Sequence, residues 1–263
     1  MSATGNSSKK QRIDKVLSHM GIGSRSDIRK QAKQGLIRVN GTVIKDSSFH
    51  VDPYADQIEV SGEPVVYREY IYLMMNKPPG VLSATEDKRD RTVLDLLKPD
   101  FAQFEPFPVG RLDKDTVGLL LLTNDGQLAH ELLSPRKHVP KTYEATVEGE
   151  VDAADVAAFA AGVELDDGYV TLPAQLTILG RERGSKTLSQ ISLTITEGKF
   201  HQVKRMFLAV GKKVIFLKRV SMGALKLDER LAPGACRELT AEELRVLGGG
   251  EAEGDEPPNF IPI

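Results

Sequence analysis

The sequence of 263 residues has a single cysteine, no tryptophan and only five histidines. One cysteine, Cys236, excludes an internal disulfide and any cysteine-rich metal site. The histidines form no ligand-like pair such as His-x-x-x-His, so we expect no metal. No apolar run approaches the roughly 20 residues that cross a membrane. The first residues are small and polar rather than apolar, unlike a signal peptide, so we expect a cytoplasmic protein.

Charge is unevenly distributed along the chain. The formal net charge is −2 and 40% of the residues are hydrophobic, as in a globular protein with room for two domains. Residues 1–51, however, hold ten Lys or Arg against three acids, a net charge of +7. A basic segment in a nearly neutral chain favours an anionic partner such as nucleic acid.

The basic N-terminal segment shows a helix–helix–hairpin pattern. Residues 12–18 carry apolar side chains at helical spacing, and residues 24–35 form a second predicted helix that Ser24 can cap. Residues 36–44 are predicted to form a hairpin with the two-residue turn Asn40-Gly41.

The second predicted helix carries a basic stripe. Arg25, Arg29 and Lys33 follow one another at intervals of four residues, so they lie along one side of the helix. A phosphate backbone could lie along that stripe. The alternative is a face that only keeps the protein in solution.

A carboxylate stands in a glycine-bounded segment near the middle of the chain. Residues 110–118 read Gly-Arg-Leu-Asp-Lys-Asp-Thr-Val-Gly and lead into the apolar run of residues 119–122. The run is too short for a membrane span and predicts a buried strand. Asp113 would therefore be held by a rigid element, as a catalytic carboxylate must be. The alternative is an aspartate that caps a turn.

Two later segments add an aromatic residue and two cations. In residues 141–147, alternation puts Tyr143 on the apolar face of a strand, where it could also be an ordinary core tyrosine. In residues 197–207, apolar residues at helical spacing predict a helix that starts near His201. Lys204 and Arg205 then lie on its other faces, which is also typical of a solvated basic face.

These segments together resemble a known family. Gly-Arg-Leu-Asp, Asp-Thr, Gly and an aliphatic run ending in Thr123-Asn-Asp-Gly resemble the catalytic segment of ribosomal RNA pseudouridine synthases of the RsuA type. The segments around Tyr143 and Lys204 follow in the family's order, and the turn at residues 76–80 matches too. Residues 12–60 resemble an S4 RNA-binding domain. The resemblance covers residues 12–245.

The resemblance implies a role for each of several side chains. Asp113 corresponds to the essential catalytic residue, and the ring of Tyr143 would pack against the target uracil. Lys204 corresponds to a cation that pairs with Asp113 and favours its ionised form. Arg111 would hold a phosphate or fill the space left by the base, unless it forms a structural salt bridge. We assign Arg205 to RNA binding.

The implied reaction converts one uridine of ribosomal RNA to pseudouridine without a cofactor. The form His201-Gln202-Val203-Lys204 favours 16S over 23S rRNA. Three roles of Asp113 stay open: attack on C1′, attack on C6, and deprotonation at C2′. Two alternatives remain, a synthase acting on 23S rRNA and a non-catalytic S4-type RNA-binding or ribosome-assembly factor. The partner is ribosomal RNA or an assembling subunit, and we expect a monomer.

The fold class that follows is α/β or α+β. A small S4-like domain precedes a catalytic domain with a mixed, largely antiparallel sheet. The expected order is a flexible lead (1–10), the S4-like domain (11–60), a linker (61–68), the catalytic domain (69–247) and a disordered acidic, Pro-containing tail (248–263). Predicted elements of the catalytic domain are strands at 71–75, 119–122, 174–179, 188–196 and 214–220, helices at 125–133 and 152–162, and a turn at 76–80.

Overall fold

The computed structural model describes residues 10–184 and 186–248. They form two compact units, residues 10–71 with Lys98–Glu105, and Tyr72–Leu97 with residues 106–248. No helix within these described ranges has the length and apolar character needed to cross a bilayer. The predicted flexible lead and disordered tail fall almost wholly on residues 1–9 and 249–263, outside the described residues.

The first unit is built on two short helices that pack through an apolar core. These are α1 (Ile13–His19) and α2 (Arg25–Lys33), joined later in the chain by the single turn α3 (Pro99–Ala102). The amide of Asp27 donates to Ser24 Oγ, so the predicted cap of α2 is present. Both predicted helices are confirmed.

Short strands complete the first unit. They are β1 (Gln11–Arg12), β2 (Ile37–Val39), β3 (Thr42–Val43), β4 (His50–Val51), β5 (Ile58–Val60) and β6 (Glu63–Val65). The antiparallel order β3-β2-β5-β6 forms one sheet, and β1 pairs with β4. Asn40 and Gly41 both have positive φ, 49° and 77°, as the tight turn between β2 and β3 requires. The predicted hairpin is confirmed.

The structure differs from the expected boundaries of this unit in two places. Residues 61–68, expected as a linker, contain β6, which pairs with β5. The segment Lys98–Glu105, expected in the catalytic domain, belongs to the first unit because the buried ring of Phe104 packs edge-on against His19 at 5.5 Å. Such a contact between distant residues leaves no trace in the local sequence pattern.

The second unit is organised around a mixed sheet. Its strands are β7 (Tyr72–Lys77), β8 (Phe107–Pro108), β9 (Val117–Thr123), β10 (Lys141–Glu148), β11 (Gln175–Arg183), β12 (Thr187–Ile195), β13 (Lys213–Met222), β14 (Leu225–Lys226) and β15 (Cys236–Glu238). The main order is β11-β12-β10-β13-β9-β7-β15, with β14 on β13 and β8 on β9. Of the pairs in the described residues, β9 with β13 is parallel and the other named pairs are antiparallel. The expected mixed, largely antiparallel sheet is confirmed.

Helices pack around this sheet. They are α4 (Gly126–Leu133), α5 (Ala153–Ala161), α6 (Gln202–Ala209) and α7 (Ala241–Leu247). The Asp125 carboxylate caps α4 by accepting from the amides of Gln127 and Leu128, each at 3.0 Å. The predicted helices are confirmed. The turn expected at residues 76–80 is wrong at its start, because Asn76 and Lys77 still pair with β9 before Pro78 ends the strand.

Strand β9 is the centre of the second unit. It is buried from Gly118 to Thr123, and Leu119 and Leu121 pack into the core that also contains α4. At its start the neighbouring strand comes very close. A Cβ on Gly118 would lie 2.3 Å from the carbonyl oxygen of Arg219, and the φ of Gly118 is 99°. Gly118 is therefore required because β9 and β13 pack closely at this position.

Candidate active site

The loop before β9, residues 109–116, carries Asp113 and is held in place by two buried side chains, those of Lys77 and Ser83. The ammonium of Lys77 donates to the carbonyl oxygens of Asp113 at 3.0 Å and of Thr116 at 2.9 Å. The hydroxyl of Ser83 accepts from the Leu112 amide at 3.1 Å and donates to the Leu112 carbonyl at 3.0 Å. Backbone groups on both sides of Asp113 are thus satisfied by buried side chains, which holds the loop in one conformation.

Lys77 is a residue whose importance the sequence pattern did not reveal. Its side chain is fully buried, and burial lowers the pKa of its ammonium to about 8, although the charges of Asp115 and Asp113 act in the opposite direction. The signal that could have found it is a lysine inside an apolar strand, immediately before two prolines. A buried lysine needs several acceptors, and the carbonyls of the adjacent loop supply them.

The predicted pair of Asp113 and Lys204 is brought together. Lys204 Nζ lies 2.9 Å from Asp113 Oδ2 and 2.6 Å from Asp115 Oδ1. Nε2 of His201 lies 3.5 Å from Asp113 Oδ1. His201 itself adopts the left-handed conformation, with a φ of 49°, and α6 begins at the next residue. The turn into α6 thus directs two basic side chains toward one carboxylate.

Electrostatics at this cluster favour a charged lysine. Burial lowers the pKa of Lys204, but hydrogen bonds with Asp115 and Asp113 outweigh burial, so the net effect is a raised pKa. The same contact lowers the pKa of Asp115, chiefly through the hydrogen bond from Lys204. The ammonium of Lys204 therefore pairs with two carboxylates of the same loop, Asp113 and Asp115.

A cavity of about 370 Å³ opens beside Asp113 within the second unit. Its wall includes Arg111, Tyr143 and Lys204, so four residues predicted from three separate segments meet there. Tyr143 is only 8% exposed. The volume is in the range of small-molecule sites. Arg111 is exposed at the rim and, within residues 10–184 and 186–248, forms no ion pair of the kind weighed as its alternative role.

The other predicted binding residues lie elsewhere. Arg205 does not line this cavity, because its guanidinium pairs with Asp166 and, at 2.8 Å, with Asp167. Arg25, Arg29 and Lys33 are exposed along α2 in the first unit. Within the described ranges, no group of three His, Cys, Asp or Glu side chains is arranged to hold a metal ion.

Two buried cations in the cavity wall were also missed by sequence reasoning. Lys141 and Arg219 line the cavity together with the predicted residues. Both lie in apolar strand patterns, on β10 and β13. Alternation along each strand, which puts Lys141 on the face of Tyr143 and Arg219 on the face of Leu217, was the available signal.

Two family descriptions match this chain in consecutive segments. Residues 11–55 match the S4 domain, and residues 71–209 match RNA pseudouridylate synthase. The second match contains the Asp113 loop, β10 and α6. The presence of both confirms the resemblance on which the sequence predictions were built.

Individual relatives agree with the family match. The chain is 55% identical to an uncharacterized RNA pseudouridine synthase of Bacillus subtilis, covering 92% of this chain and 100% of the relative. It is 40% identical to the ribosomal small subunit pseudouridine synthase A of Salmonella typhimurium (90% and 100% covered) and 40% identical to the ribosomal large subunit pseudouridine synthase B of B. subtilis (90% and 95%). A solved pseudouridylate synthase superposes with a TM-score of 0.62 at 36% identity, over 90% of this chain and 99% of that one. The chain therefore belongs to the RNA pseudouridylate synthase family and carries an N-terminal S4 domain.

Proposed function

We propose that this protein converts one uridine of ribosomal RNA to pseudouridine, with Asp113 as the catalytic carboxylate. The observation that carries the proposal is the ion pair at 2.9 Å between Asp113 and Lys204, at the mouth of a cavity lined by Tyr143. A non-catalytic RNA-binding protein has no need for a carboxylate fixed by Lys77 and Ser83 beside such a cavity.

The reaction is an isomerisation. The N1–C1′ bond breaks, the uracil turns, and a C5–C1′ bond forms while C5 loses a proton and N1 gains one. Electrons and atoms balance within the nucleotide, so we propose that no cofactor takes part. A carboxylate at this place can attack C1′, attack C6, or remove the C2′ proton. Each route uses Asp113 as a carboxylate, and the ammonium of Lys204 pairs with it at 2.9 Å.

The target base must leave its stack before it can enter the cavity. This costs a few kcal/mol, which contacts with the protein have to offset. Tyr143 would supply an aromatic face for the uracil, and its hydroxyl could move a proton. Arg111, at the rim and without an ion pair in the described residues, would hold a phosphate. Arg205 would first have to leave Asp166 and Asp167, so it has a weaker claim to contact RNA.

We further propose 16S rRNA, free or in an assembling subunit, as the substrate of a monomeric cytoplasmic enzyme. The sequence His201-Gln202-Val203-Lys204 supports the small-subunit branch. A substrate in 23S rRNA is the second candidate, because the named large-subunit synthase is as similar to this chain as the named small-subunit synthase, at 40% identity each.

Pseudouridine mapping tests both parts of the proposal. Unmodified small- and large-subunit rRNA, free and in assembly intermediates, would be incubated with the protein, with Asp113→Asn or with the control Asp115→Asn, then mapped by carbodiimide adducts and primer extension. We expect one new stop in small-subunit RNA that disappears only with Asp113→Asn. A stop in large-subunit RNA would retain the chemistry and change the substrate. No stop on either RNA or on assembly intermediates would favour the binding-factor alternative.

A further inference from the structure

Arg219 has a free donor that the fold does not use. Its side chain is only 2% exposed, and its Nε donates to the carbonyl oxygen of Leu119 at 2.8 Å, which ties β13 to β9. Its Nη2 is buried and has no hydrogen-bond partner. An unpaired buried donor of a charged group costs free energy, so a residue needed only to join two strands would not be expected to keep one.

The sheet register places Arg219 next to Tyr143 in the cavity wall. Tyr143 and Arg219 are directly opposite each other on β10 and β13, and both line the cavity. Opposite residues of paired strands project from the same face of a sheet. A base that lies against the ring of Tyr143 would therefore have one edge next to Arg219.

A second buried cation lies on the same face, two residues before Tyr143. Lys141 is 9% exposed, and its ammonium donates to the Val139 carbonyl at 2.9 Å. Within the described residues neither Lys141 nor Arg219 forms an ion pair, and the pKa of Lys141 is lowered by burial and then by the charge of Arg219.

The acids that share the cavity are engaged by other groups. Asp113 is held by Lys204 at 2.9 Å, and Glu197 accepts from the Tyr169 hydroxyl at 2.6 Å and from Gln202 at 2.7 Å. The side chains of Lys141 and Arg219 carry only donors, so this part of the wall can donate hydrogen bonds and its side chains cannot accept them.

We propose that Arg219 contacts the substrate by donating a hydrogen bond to O4 of the target uracil, with Lys141 adding positive charge. The inference rests on the proposed function of this cavity. Asp113 lies in the more exposed part of the lining, with 27% of its side chain exposed, whereas Arg219 is only 2% exposed. If the ribose stays near Asp113, the oxygen opposite N1 on the ring, O4, reaches deepest.

This contact has two chemical consequences. Cytosine carries an amino donor at the position of O4, so a wall of donors accepts uracil and disfavours cytosine. When the N1–C1′ bond breaks and its electron pair stays on the uracil, the negative charge spreads over N1, O2 and O4. A cation at O4 then stabilises that charge as it develops, which is the interaction that raises a rate.

A cycle of enzyme and substrate changes tests the contact. RNA carrying uridine, 4-thiouridine or 2-thiouridine at the mapped position would be treated with the full-length protein, Arg219→Met, Arg219→Lys and Lys141→Met. Single-turnover rates would be read by nucleoside chromatography. Because sulfur is a weak acceptor, 4-thiouridine should slow the wild type on the order of 10-fold, the size expected for a bond to a charged donor.

The expected result is that Arg219→Met loses this penalty while the 2-thiouridine penalty stays as in the wild type. Thermal unfolding identifies any variant that fails to fold. If Arg219→Met is such a variant, Arg219→Lys and Lys141→Met complete the cycle. Each of these two is expected to show a smaller 4-thiouridine penalty than the wild type. An unchanged 4-thiouridine penalty in every folded variant, or a change confined to 2-thiouridine, would overturn the inference. Wild-type protein that fails to convert the uridine RNA would instead contradict the proposed function.

Discussion

At the scale of single residues, Asp113 and Asp115 share the ammonium of Lys204 but differ in environment. The Asp113 side chain is 27% exposed and that of Asp115 is 73% exposed. Water screens an exposed ion pair, so the shorter contact, with Asp115, need not be the stronger one. We infer that Asp115 holds the lysine in place and that its effect on Asp113 is indirect.

Substitutions at Lys204 and Asp115 separate these two contacts. Lys204→Met should lower the single-turnover rate at saturating RNA on the order of 100-fold, as loss of a preorganised charged donor does, and Lys204→Arg should recover part of it. Asp115→Asn should cost less than roughly 5-fold, because an exposed pair contributes at most about 1 kcal/mol. Equal losses in Asp115→Asn and Lys204→Met would show that the contact with the exposed Asp115 is needed as much as the contact with Asp113.

The buried Lys77 should give stability an unusual dependence on pH. Its pKa is about 8 in the folded protein against an ordinary value of 10.5, so between these values the unfolded chain binds more protons. The contribution of Lys77 to the free energy of unfolding must then rise with pH across that window. Below about pH 8 the cost of burying the charge is present in full.

Urea unfolding of the wild type and Lys77→Met across this pH range measures the effect. The stability of the wild type minus that of the variant should increase as pH rises through about 8 toward 10.5. The variant provides the baseline for the wild type, since every other titrating group is common to both proteins. A flat difference would mean that the carbonyls around Lys77 compensate its burial fully.

At the scale of elements, the sequence pattern predicted the features that depend on residues close together in the chain. Four consecutive leucines predicted the buried strand β9, and apolar spacing predicted α6 with its start at His201. The same patterns could not show that Lys77 lies under the Asp113 loop or that Arg219 joins the cavity. Both depend on contacts between residues far apart in sequence, about 36 and 100 positions. Resemblance supplied the pair of Asp113 and Lys204, which spacing alone could not.

The junction of β9 and β13 depends on one glycine. Gly118→Ala would put a Cβ 2.3 Å from the Arg219 carbonyl at a φ of 99°. We expect a loss of at least roughly 1–3 kcal/mol in the free energy of unfolding, the usual cost of such backbone strain. The matched control is Gly180→Ala on β11, where a Cβ would meet no neighbouring atom within 4 Å and φ is not positive. Equal stability of the two variants in urea would contradict this account of the junction.

At the scale of the whole molecule, charge and chemistry are divided along the chain. Residues 1–51 carry a net charge of +7 and the whole chain −2, so residues 52–263 carry −9. A polyanion is therefore attracted by the N-terminal segment and opposed by the average charge of the remainder. The groups proposed to act on the base all belong to the second unit. Affinity for RNA and turnover should then be separable by substitution.

A triple substitution on α2 tests that separation. Arg25, Arg29 and Lys33 changed together to Gln should weaken RNA binding and reduce the salt dependence of log K by roughly 2 to 3, if each contacts one phosphate. Turnover at saturating RNA should stay within roughly 5-fold of the wild type, since a phosphate contact adds binding without stabilising the transition state. Asp113→Asn should show the converse, with normal salt dependence and no turnover.

The matched control removes the same charge from the second unit. The β11–β12 hairpin carries three cations that pair with acids outside it: Arg181 and Arg183 with Glu150, and Lys186 with Glu148. These three cations would be changed together to Gln. If general positive charge rather than the α2 stripe attracts RNA, the two triple variants would lose equal affinity and equal salt dependence. A loss confined to the α2 variant would assign the phosphate contacts to the stripe, because net charge is then the same in both proteins and only its position differs.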